Sequence, residues 1–216
     1  MPTVYGANVS PFVRKVRAFL AEKNIPYELD PVVPFGASPE FKKMSPLGRI
    51  PAFRDGDRTL ADSSIICAYL ERTHPTPALY PSDPYEYARA LWFEEYADGG
   101  LVTVTGPKIF FQKFVAPRFF NRATDEGMVK KAIDEELPPL FDYLEGELRD
   151  GEFLVGRAFS IADVGVCTHF VNLRHVDLSV DRTRWPKLAA YVARIHARPS
   201  FKALIEEETA MYGTAA

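Results

Sequence analysis

Apolar and polar residues alternate in one pattern up to about residue 80 and in a different pattern beyond it. In the first part, short apolar runs typical of strands alternate with amphipathic helical patterns. In the first helical pattern Phe12, Val16 and Phe19 share one face. The pattern predicts strands at "TVY", "YELD", "PAF" and "RTL", and helices over 11–23, near 39–44 and from about 63. This order predicts a small α/β domain.

The segment "DGDR", residues 55–58, lies between the last two predicted strands and carries hairpin turn residues. Those two strands are therefore expected to be antiparallel neighbours.

A proline-rich segment then interrupts the pattern. "THPTPALYPSDP", residues 73–84, has four prolines in twelve positions and cannot continue a helix. We predict a first domain over 1–77, a linker over 78–84 and an all-helical domain over 85–216. Helical patterns in the second domain cover 85–97, 127–149, 161–175 and 186–206.

One helix start in the second half is sharply defined. In "RAFSIADVGV", Ser160 is a candidate N-cap, and the Asp163 carboxylate three residues later can reach back to the cap N–H. Phe159 and Val164 are placed to form a hydrophobic staple. The motif predicts a folding role and no part in catalysis.

The amino-acid composition and net charge argue against two classes of function, nucleic-acid binding and membrane insertion. The 216 residues are long enough for one large or two small domains, 47% are hydrophobic, and the net charge is −3. This balance gives no general attraction to nucleic acid. No apolar run approaches the roughly 18 residues of a membrane span, and polar residues interrupt the first twenty positions. We expect a cytoplasmic protein that binds neither nucleic acid nor membrane.

The cysteines and histidines indicate no metal site. Cys67 and Cys167 lie in apolar helical contexts without metal-type spacing, and we expect both to be buried. The four histidines form no metal-binding motif.

Ser10 and Pro11 are the first candidates for chemistry. Serine is a preferred N-cap and proline suits the first helical position, so the pair predicts a capped helix. The same helix start presents unpaired N–H groups, the positive end of a dipole and a hydroxyl. Such a site can keep a bound thiol ionised, because it lowers a thiol pKa from about 8.5.

A second candidate is "PLGRIPAF", residues 46–53. Its glycine and proline suggest a tight turn that can use a cis Ile50–Pro51 bond, although position alone does not select this bond among 18 prolines. The Ile50 N–H and C=O would then be free to pair with an extended peptide.

A third candidate is "LADSSIICAYLE", residues 60–71, in which Asp62 or Ser63 caps the next helix. Asp62 can also bind an ammonium group, and Ser63 with the helix N–H groups can hold a carboxylate. Together they would recognise the amino-acid end of a small ligand.

The stretch "GPKIFFQKFVAPRFF", residues 106–120, is rich in phenylalanine and broken by Gly106, Pro107 and Pro117. Two interpretations are open, because aromatic residues at helical spacing form either core or an apolar pocket. The residues concerned are Phe110, Phe111 and Phe114.

These motifs, in this order, resemble the cytosolic glutathione transferases over the whole chain: "VSPFVRKVR", "GRIP", "ADSSIICAYLE", a proline-rich linker and "FSIAD". The resemblance implies a thioredoxin-like domain followed by an all-helical domain, in a homodimer. It implies glutathione as co-substrate, with its thiol by Ser10 and its cysteinyl backbone on Ile50 beside Pro51. Asp62 and Ser63 would hold the γ-glutamyl end, and Arg49 would lie near the glycyl end.

The spacing of Ser10 and Arg14 is similar to the serine-type, bacterial-like branch of that family. "Ser10-Pro11-Phe12" stands where the zeta branch has Ser-Ser-Cys and where the omega and thiol-transfer branches have a cysteine. Neither maleylacetoacetate isomerisation nor mixed-disulfide chemistry is therefore expected. Tyr5, in a predicted strand, and a backbone N–H are the rivals of Ser10.

The resemblance implies conjugation of glutathione to an apolar electrophile. Two other functions are compatible with the same residues: a glutathione-dependent peroxidase or isomerase, and a non-catalytic binding protein with this fold. The sequence does not identify the electrophile.

Overall fold

The computed structural model describes residues 1–33, 38–148 and 151–213. The chain forms two compact units, Met1–Tyr80 and Pro81–Ala216. We call them the N-terminal unit and the helical unit. The division falls within the segment 78–84 that the sequence predicts as a linker.

The N-terminal unit is a four-stranded mixed sheet with helices, the thioredoxin-like arrangement expected from the sequence. The strand order is β2-β1-β3-β4. Strand β1 runs parallel to β2 and antiparallel to β3, and β3 and β4 form the expected antiparallel hairpin. The elements are β1 (Thr3–Tyr5), α1 (Pro11–Glu22), β2 (Glu28–Asp30), α2 (Pro39–Met44), β3 (Ala52–Asp55), β4 (Arg58–Ala61) and α3 (Ser63–Thr73).

The polar positions of α1 are buried as well as its apolar face, which the sequence pattern did not indicate. Lys15 Nζ donates to Ser64 Oγ at 2.8 Å. At the end of the helix, Lys23 Nζ lies 2.8 Å from Glu71 Oε2 and donates to the His74 carbonyl at 2.6 Å. These buried amino groups have partners in or just after α3, so α1 is held to α3 by polar contacts along its length.

In the helical unit the described residues form helices that are connected by π-helical segments, such as Ala132–Glu136, or by irregular segments, such as 175–185. The sequence predicts an all-helical domain for this half of the chain. The α-helices are α4 (Pro84–Glu95), α5 (Val102–Val104), α6 (Ala116–Phe120), α7 (Glu126–Lys131), α8 (Leu137–Leu148), α9 (Ile161–Arg174), α10 (Pro186–His196) and α11 (Pro199–Tyr212). The predicted end of one helix at residue 149 lies outside the described residues.

The stretch 106–120 is not broken, contrary to the sequence prediction. The chain stays helical from α4 through α6, because π-helical segments at Tyr96–Leu101 and Thr105–Val115 join the α-helical pieces. A proline removes one hydrogen bond and displaces a carbonyl one turn earlier. Gly106 and Pro107 lie in the π-helical segment Thr105–Val115, whose wider turn accommodates them without ending the helix. Pro117 lies in the first turn of α6.

The single helix predicted over 186–206 is also wrong. It forms two helices, α10 and α11, with Pro199 at the start of the second. Proline has no N–H to continue α10 but suits the first turn of a new helix. The apolar residues keep a helical spacing across the turn between α10 and α11, so the sequence pattern does not show where the first helix ends.

Helix α9 is the centre of the helical unit, and its residues from Ile161 to Leu173 are all buried. Its first turn has the contact predicted for a capping box, since Asp163 Oδ2 accepts the Ser160 N–H at 2.9 Å. Asp163 Oδ1 accepts from the Leu154 N–H at 3.0 Å and from the Tyr191 hydroxyl at 2.8 Å. One carboxylate therefore ties the helix start to a preceding loop and to α10.

Both cysteines are buried, as the sequence predicts. Burial raises the pKa of the Cys167 thiol well above its ordinary value. This thiol is accordingly a poor nucleophile.

Candidate functional site

Sheet register brings three of the predicted segments to the same end of the N-terminal unit. Tyr5 pairs with Ala52, and Ala52 pairs with Ala61. Neighbouring strands lie about 4.8 Å apart, so these three residues form a short row across the sheet. The Ser10 loop follows the first, Ile50–Pro51 precedes the second, and Asp62–Ser63 follows the third.

Ser10 lies at the N-cap of α1 and is half-buried. Its Oγ accepts the Val13 N–H at 3.5 Å, which is a long hydrogen bond. The hydroxyl proton is not used by that contact and can be donated to a ligand. Ser10 thus combines a helix N-terminus with a hydrogen-bond donor.

Tyr5, the rival hydroxyl, is only 6% exposed. Its side chain packs in a cluster with Phe41 and Ala52, and the Arg54 guanidinium lies over its ring at 5.6 Å. This surrounding favours a core role for Tyr5.

Gly6, which the sequence analysis did not single out, lies where the Ser10 and Ile50 segments meet. A Cβ on Gly6 would be 2.4 Å from Val13 Cγ2 and 3.2 Å from Ile50 Cβ, and its φ is +154°. Only glycine suits this close approach and this backbone conformation. A glycine at the end of a predicted strand, before a capped helix, was the available signal.

The Ile50–Pro51 peptide bond is cis, one of the two alternatives that the sequence left open. The Ile50 side chain packs against the cluster of Tyr5, Phe41 and Ala52, while Pro51 is buried. Arg49 is exposed beside them. Among the described residues, none forms a hydrogen bond with the Ile50 N–H.

Asp62 is the N-cap of α3. Its Oδ1 accepts the N–H groups of Ser64 at 2.9 Å and Ile65 at 3.4 Å, and in the described part of the chain no group donates to Oδ2. Its φ of +80° is unusual for a residue with a side chain and costs on the order of 1–3 kcal/mol. Such strain persists where neighbouring structure or function requires it.

Ser63 follows in the first turn of α3 and is 2% exposed. No residue of the described ranges forms a hydrogen bond with its hydroxyl. Helix N–H groups, this hydroxyl and the free side of the Asp62 carboxylate therefore form one compact set of donors and acceptors. That set matches an α-amino acid, with its carboxylate on the donors and its ammonium group on the acceptor.

The three phenylalanines predicted as core or pocket lie together in the helical unit. Phe110 and Phe114 stack with ring centroids 4.7 Å apart, and both are buried. Phe111 is half-buried and lies 6.0 Å from the ring of Phe120, which is 48% exposed. Phe114 is enclosed by aromatic neighbours, so its surroundings favour core, whereas Phe111 and Phe120 present apolar surface.

A recess of about 950 Å³ in the helical unit is lined elsewhere, by residues of α9, α10, α11 and the segment 177–182. Exposed charged side chains form much of its rim, and Phe110, Phe111 and Phe114 are not among its lining residues. It contributes nothing to the site predicted from those three residues.

Over the residues that the structure describes, no group of three or more His, Cys, Asp or Glu side chains is arranged to hold a metal ion. Within the same ranges, no helix is long and apolar enough to cross a membrane.

Comparison with known families defines the class. Residues 4–78 match the model of the glutathione S-transferase N-terminal domain, and residues 110–208 match that of the glutathione S-transferase C-terminal domain. The chain belongs to the glutathione S-transferase family.

Individual relatives cover nearly the whole chain. A glutathione S-transferase from Hyoscyamus muticus is 29% identical over 209 residues, which is 94% of this chain and 97% of the relative. The uncharacterized GST-like protein YibF from Escherichia coli K12 is 31% identical, over 91% of this chain and 94% of the relative. The solved structure of glutathione S-transferase-I bound with lactoylglutathione superimposes with a TM-score of 0.84 at 25% identity, covering 95% and 98% of the two chains.

Proposed function

We propose that this protein is a glutathione transferase of the serine-type branch, which ionises the glutathione thiol and adds its sulfur to an apolar electrophile. The observation that carries the proposal is the half-buried Ser10 hydroxyl at the start of α1, at the sheet end where Ile50 and Asp62 also lie. Family membership supports glutathione as the ligand.

The chemistry follows from the position of Ser10. A glutathione thiolate beside this hydroxyl would accept its proton in a hydrogen bond and lie at the positive end of the α1 dipole. Both effects favour the ionised thiol and lower its pKa, and the thiolate is the nucleophile. More of the reacting form is then present at neutral pH.

The remaining residues fit the other parts of the tripeptide. The Ile50 N–H, which has no hydrogen-bond partner in the described ranges, would pair with the cysteinyl backbone in a β-like contact. Asp62 Oδ2 would accept from the γ-glutamyl ammonium group, and Ser63 with the α3 N–H groups would hold its carboxylate. The exposed guanidinium of Arg49 would lie near the glycyl carboxylate.

The electrophile is proposed to bind on apolar surface of the helical unit. Phe111 and its neighbour Phe120 offer partly exposed rings for this role, whereas Phe110 and Phe114 are buried and stack on each other. Burying an apolar ligand on such rings is favourable because aromatic side chains offer large contact areas.

We also propose that the protein acts as a homodimer in the cytoplasm. Tyr85 and Trp92, seven residues apart on one face of α4, are 73% and 47% exposed. Exposed aromatic side chains on one helix face favour coverage by another protein surface. A second copy of this chain is the partner that the family resemblance implies.

Retention on immobilised glutathione, followed by assays with aryl halide, epoxide, isothiocyanate and hydroperoxide substrates, tests the proposal. We expect retention, elution by free glutathione and conjugation of at least one of the first three substrates. Retention with turnover of hydroperoxide alone would instead indicate a peroxidase. Failure to bind glutathione would indicate a fold kept for another purpose.

A further inference from the structure

Ser45 is a buried polar residue in the turn between α2 and β3, and it is 2% exposed. Its N–H donates to the Phe41 carbonyl at 2.9 Å, and its carbonyl accepts from the Gly48 N–H at 2.8 Å. Its hydroxyl donates to the Arg49 carbonyl at 2.7 Å. A buried hydroxyl is costly unless it is hydrogen-bonded, so this turn is held in one arrangement.

The contact at Arg49 fixes more than a carbonyl group. The Arg49 C=O and the Ile50 N–H belong to the same planar peptide unit, which is trans. In a trans unit the C=O and N–H bonds point in opposite directions. Because Ser45 holds the carbonyl towards the end of α2, the Ile50 N–H must point the other way.

The Ile50 side chain is held independently. It packs on the cluster of Tyr5, Phe41 and Ala52, and Gly6 leaves it room at the end of β1. Packing therefore sets where Ile50 lies, and the Ser45 hydroxyl sets how its peptide plane is turned. The N–H that results has no acceptor among the described residues.

We infer that Ser45 is a positioning residue for glutathione, because its hydroxyl orients the Ile50 N–H towards the cysteinyl carbonyl of the bound tripeptide. The inference rests on the proposed function, since it takes glutathione as the ligand of Ile50. Ser45 does not itself contact the ligand.

The test compares Ser45→Ala with Ser38→Ala. Ser38 lies at the other end of α2, where its Oγ accepts the Phe41 N–H at 3.1 Å, so its substitution removes a helix cap without releasing the Arg49 carbonyl. Glutathione affinity is measured by calorimetry on folded protein, together with the pKa of the bound thiol. We expect Ser45→Ala to weaken binding about fivefold to tenfold, the value of one well-oriented hydrogen bond.

The thiol pKa should not change in Ser45→Ala, because Ser10 and the start of α1 remain in place. Ser38→Ala should keep the wild-type affinity. Equal affinities for wild type and Ser45→Ala would overturn the inference. An equal loss in both variants would also overturn it, since the loss would then reflect damage to α2.

The Ile50 amide supplies a readout that does not depend on either variant folding. In wild type, hydrogen exchange at this amide should slow at least tenfold when glutathione is added at saturation, because the N–H gains an acceptor. Unchanged exchange in protein that binds glutathione would overturn the inference and leave the proposed function standing. Wild type that does not bind glutathione would overturn both.

Discussion

We propose two roles for the Asp62 carboxylate, the capping of α3 and the binding of the ligand's ammonium group. Oδ1 caps α3 through two backbone N–H groups, and Oδ2 faces no donor among the described residues. The positive φ at this residue is a local cost that a purely structural cap does not require. Asp83 makes the comparison clear, since it caps α4 through the same two-donor contact with an ordinary φ of −68°.

Asp62→Asn should weaken glutathione binding by about 1–3 kcal/mol, because the ligand's ammonium group loses a charged hydrogen-bond acceptor. An asparagine keeps an oxygen for the cap, so the fold should be retained. Isothermal calorimetry measures the difference. Asp83→Asn is the matched control and should bind as wild type does; unchanged affinity in Asp62→Asn would remove Asp62 from the site.

Among the helices and strands, the start of α9 has a role in stability that we expect to be separate from ligand binding. Asp163 is fully buried and accepts hydrogen bonds from two backbone N–H groups and from the Tyr191 hydroxyl. Ser160→Ala should lower the free energy of unfolding by about 0.5–2 kcal/mol. Asp163→Ala should cost at least as much, because three buried donors lose their acceptor.

Urea denaturation measures both losses, and calorimetry on the folded fraction should give unchanged glutathione affinity. A variant at either position that kept full stability but lost activity would contradict a purely structural role.

Burial raises the pKa of Asp163 to about 6, although its hydrogen bonds act in the opposite direction. Between pH 4 and 6 the unfolded carboxyl is already ionised while the folded one still holds its proton. The protonated Asp163 carboxyl therefore adds to the free energy of unfolding at low pH. This contribution is lost as the pH rises from about 4 to about 6, and the loss is roughly 3 kcal/mol.

Carbon-detected NMR of the carboxyl groups checks this titration. Asp181 is a useful reference in the same spectrum, because hydrogen bonds from the Thr183 side chain and N–H lower its pKa. Asp163 should titrate well above Asp181. An Asp163 carboxyl that ionises below pH 4 would show that its hydrogen bonds outweigh burial.

Elements were predictable where the signal is local. The strands, the hairpin and the α9 capping contact follow from turn residues and from side chains within three positions of each other. The break before Pro199 and the continuity through Pro107 were not predictable from apolar spacing. That spacing does not distinguish one helix from two consecutive ones, nor an α from a π pattern.

At the scale of the whole molecule, the candidate site depends on sheet register. The sequence marks Ser10, Ile50 and Asp62 separately, but the pairing of Tyr5, Ala52 and Ala61 puts their segments side by side. Contacts such as Lys15 with Ser64, 49 positions apart, leave no sequence pattern. The contact of Ser45 with Arg49 is local, but it too leaves no sequence pattern, because its proposed effect lies in the direction of a peptide plane.

A substitution on the exposed face of α4 tests the proposed homodimer. Tyr85→Glu should shift the protein towards monomer, because a charge would be buried in an apolar contact between two copies. Light scattering after size-exclusion chromatography measures the mass. Met211→Glu is the control, since Met211 is similarly exposed, at 60%, but lies on α11. A wild-type monomer would contradict the proposed homodimer.

Ser10 is proposed to ionise the glutathione thiol, and this role is tested by the pKa of the thiol in the complex. Thiolate absorbance, followed against pH with protein at saturating glutathione, should give a value well below the free thiol's roughly 8.5. Ser10→Ala should bind glutathione about as well, since Ile50, Asp62 and Ser63 remain. Its bound thiol pKa should rise by about one unit or more, equivalent to about 1.4 kcal/mol per unit. An unchanged pKa with an unchanged conjugation rate would make Ser10 a helix cap only, and the role would pass to Tyr5 or a backbone N–H.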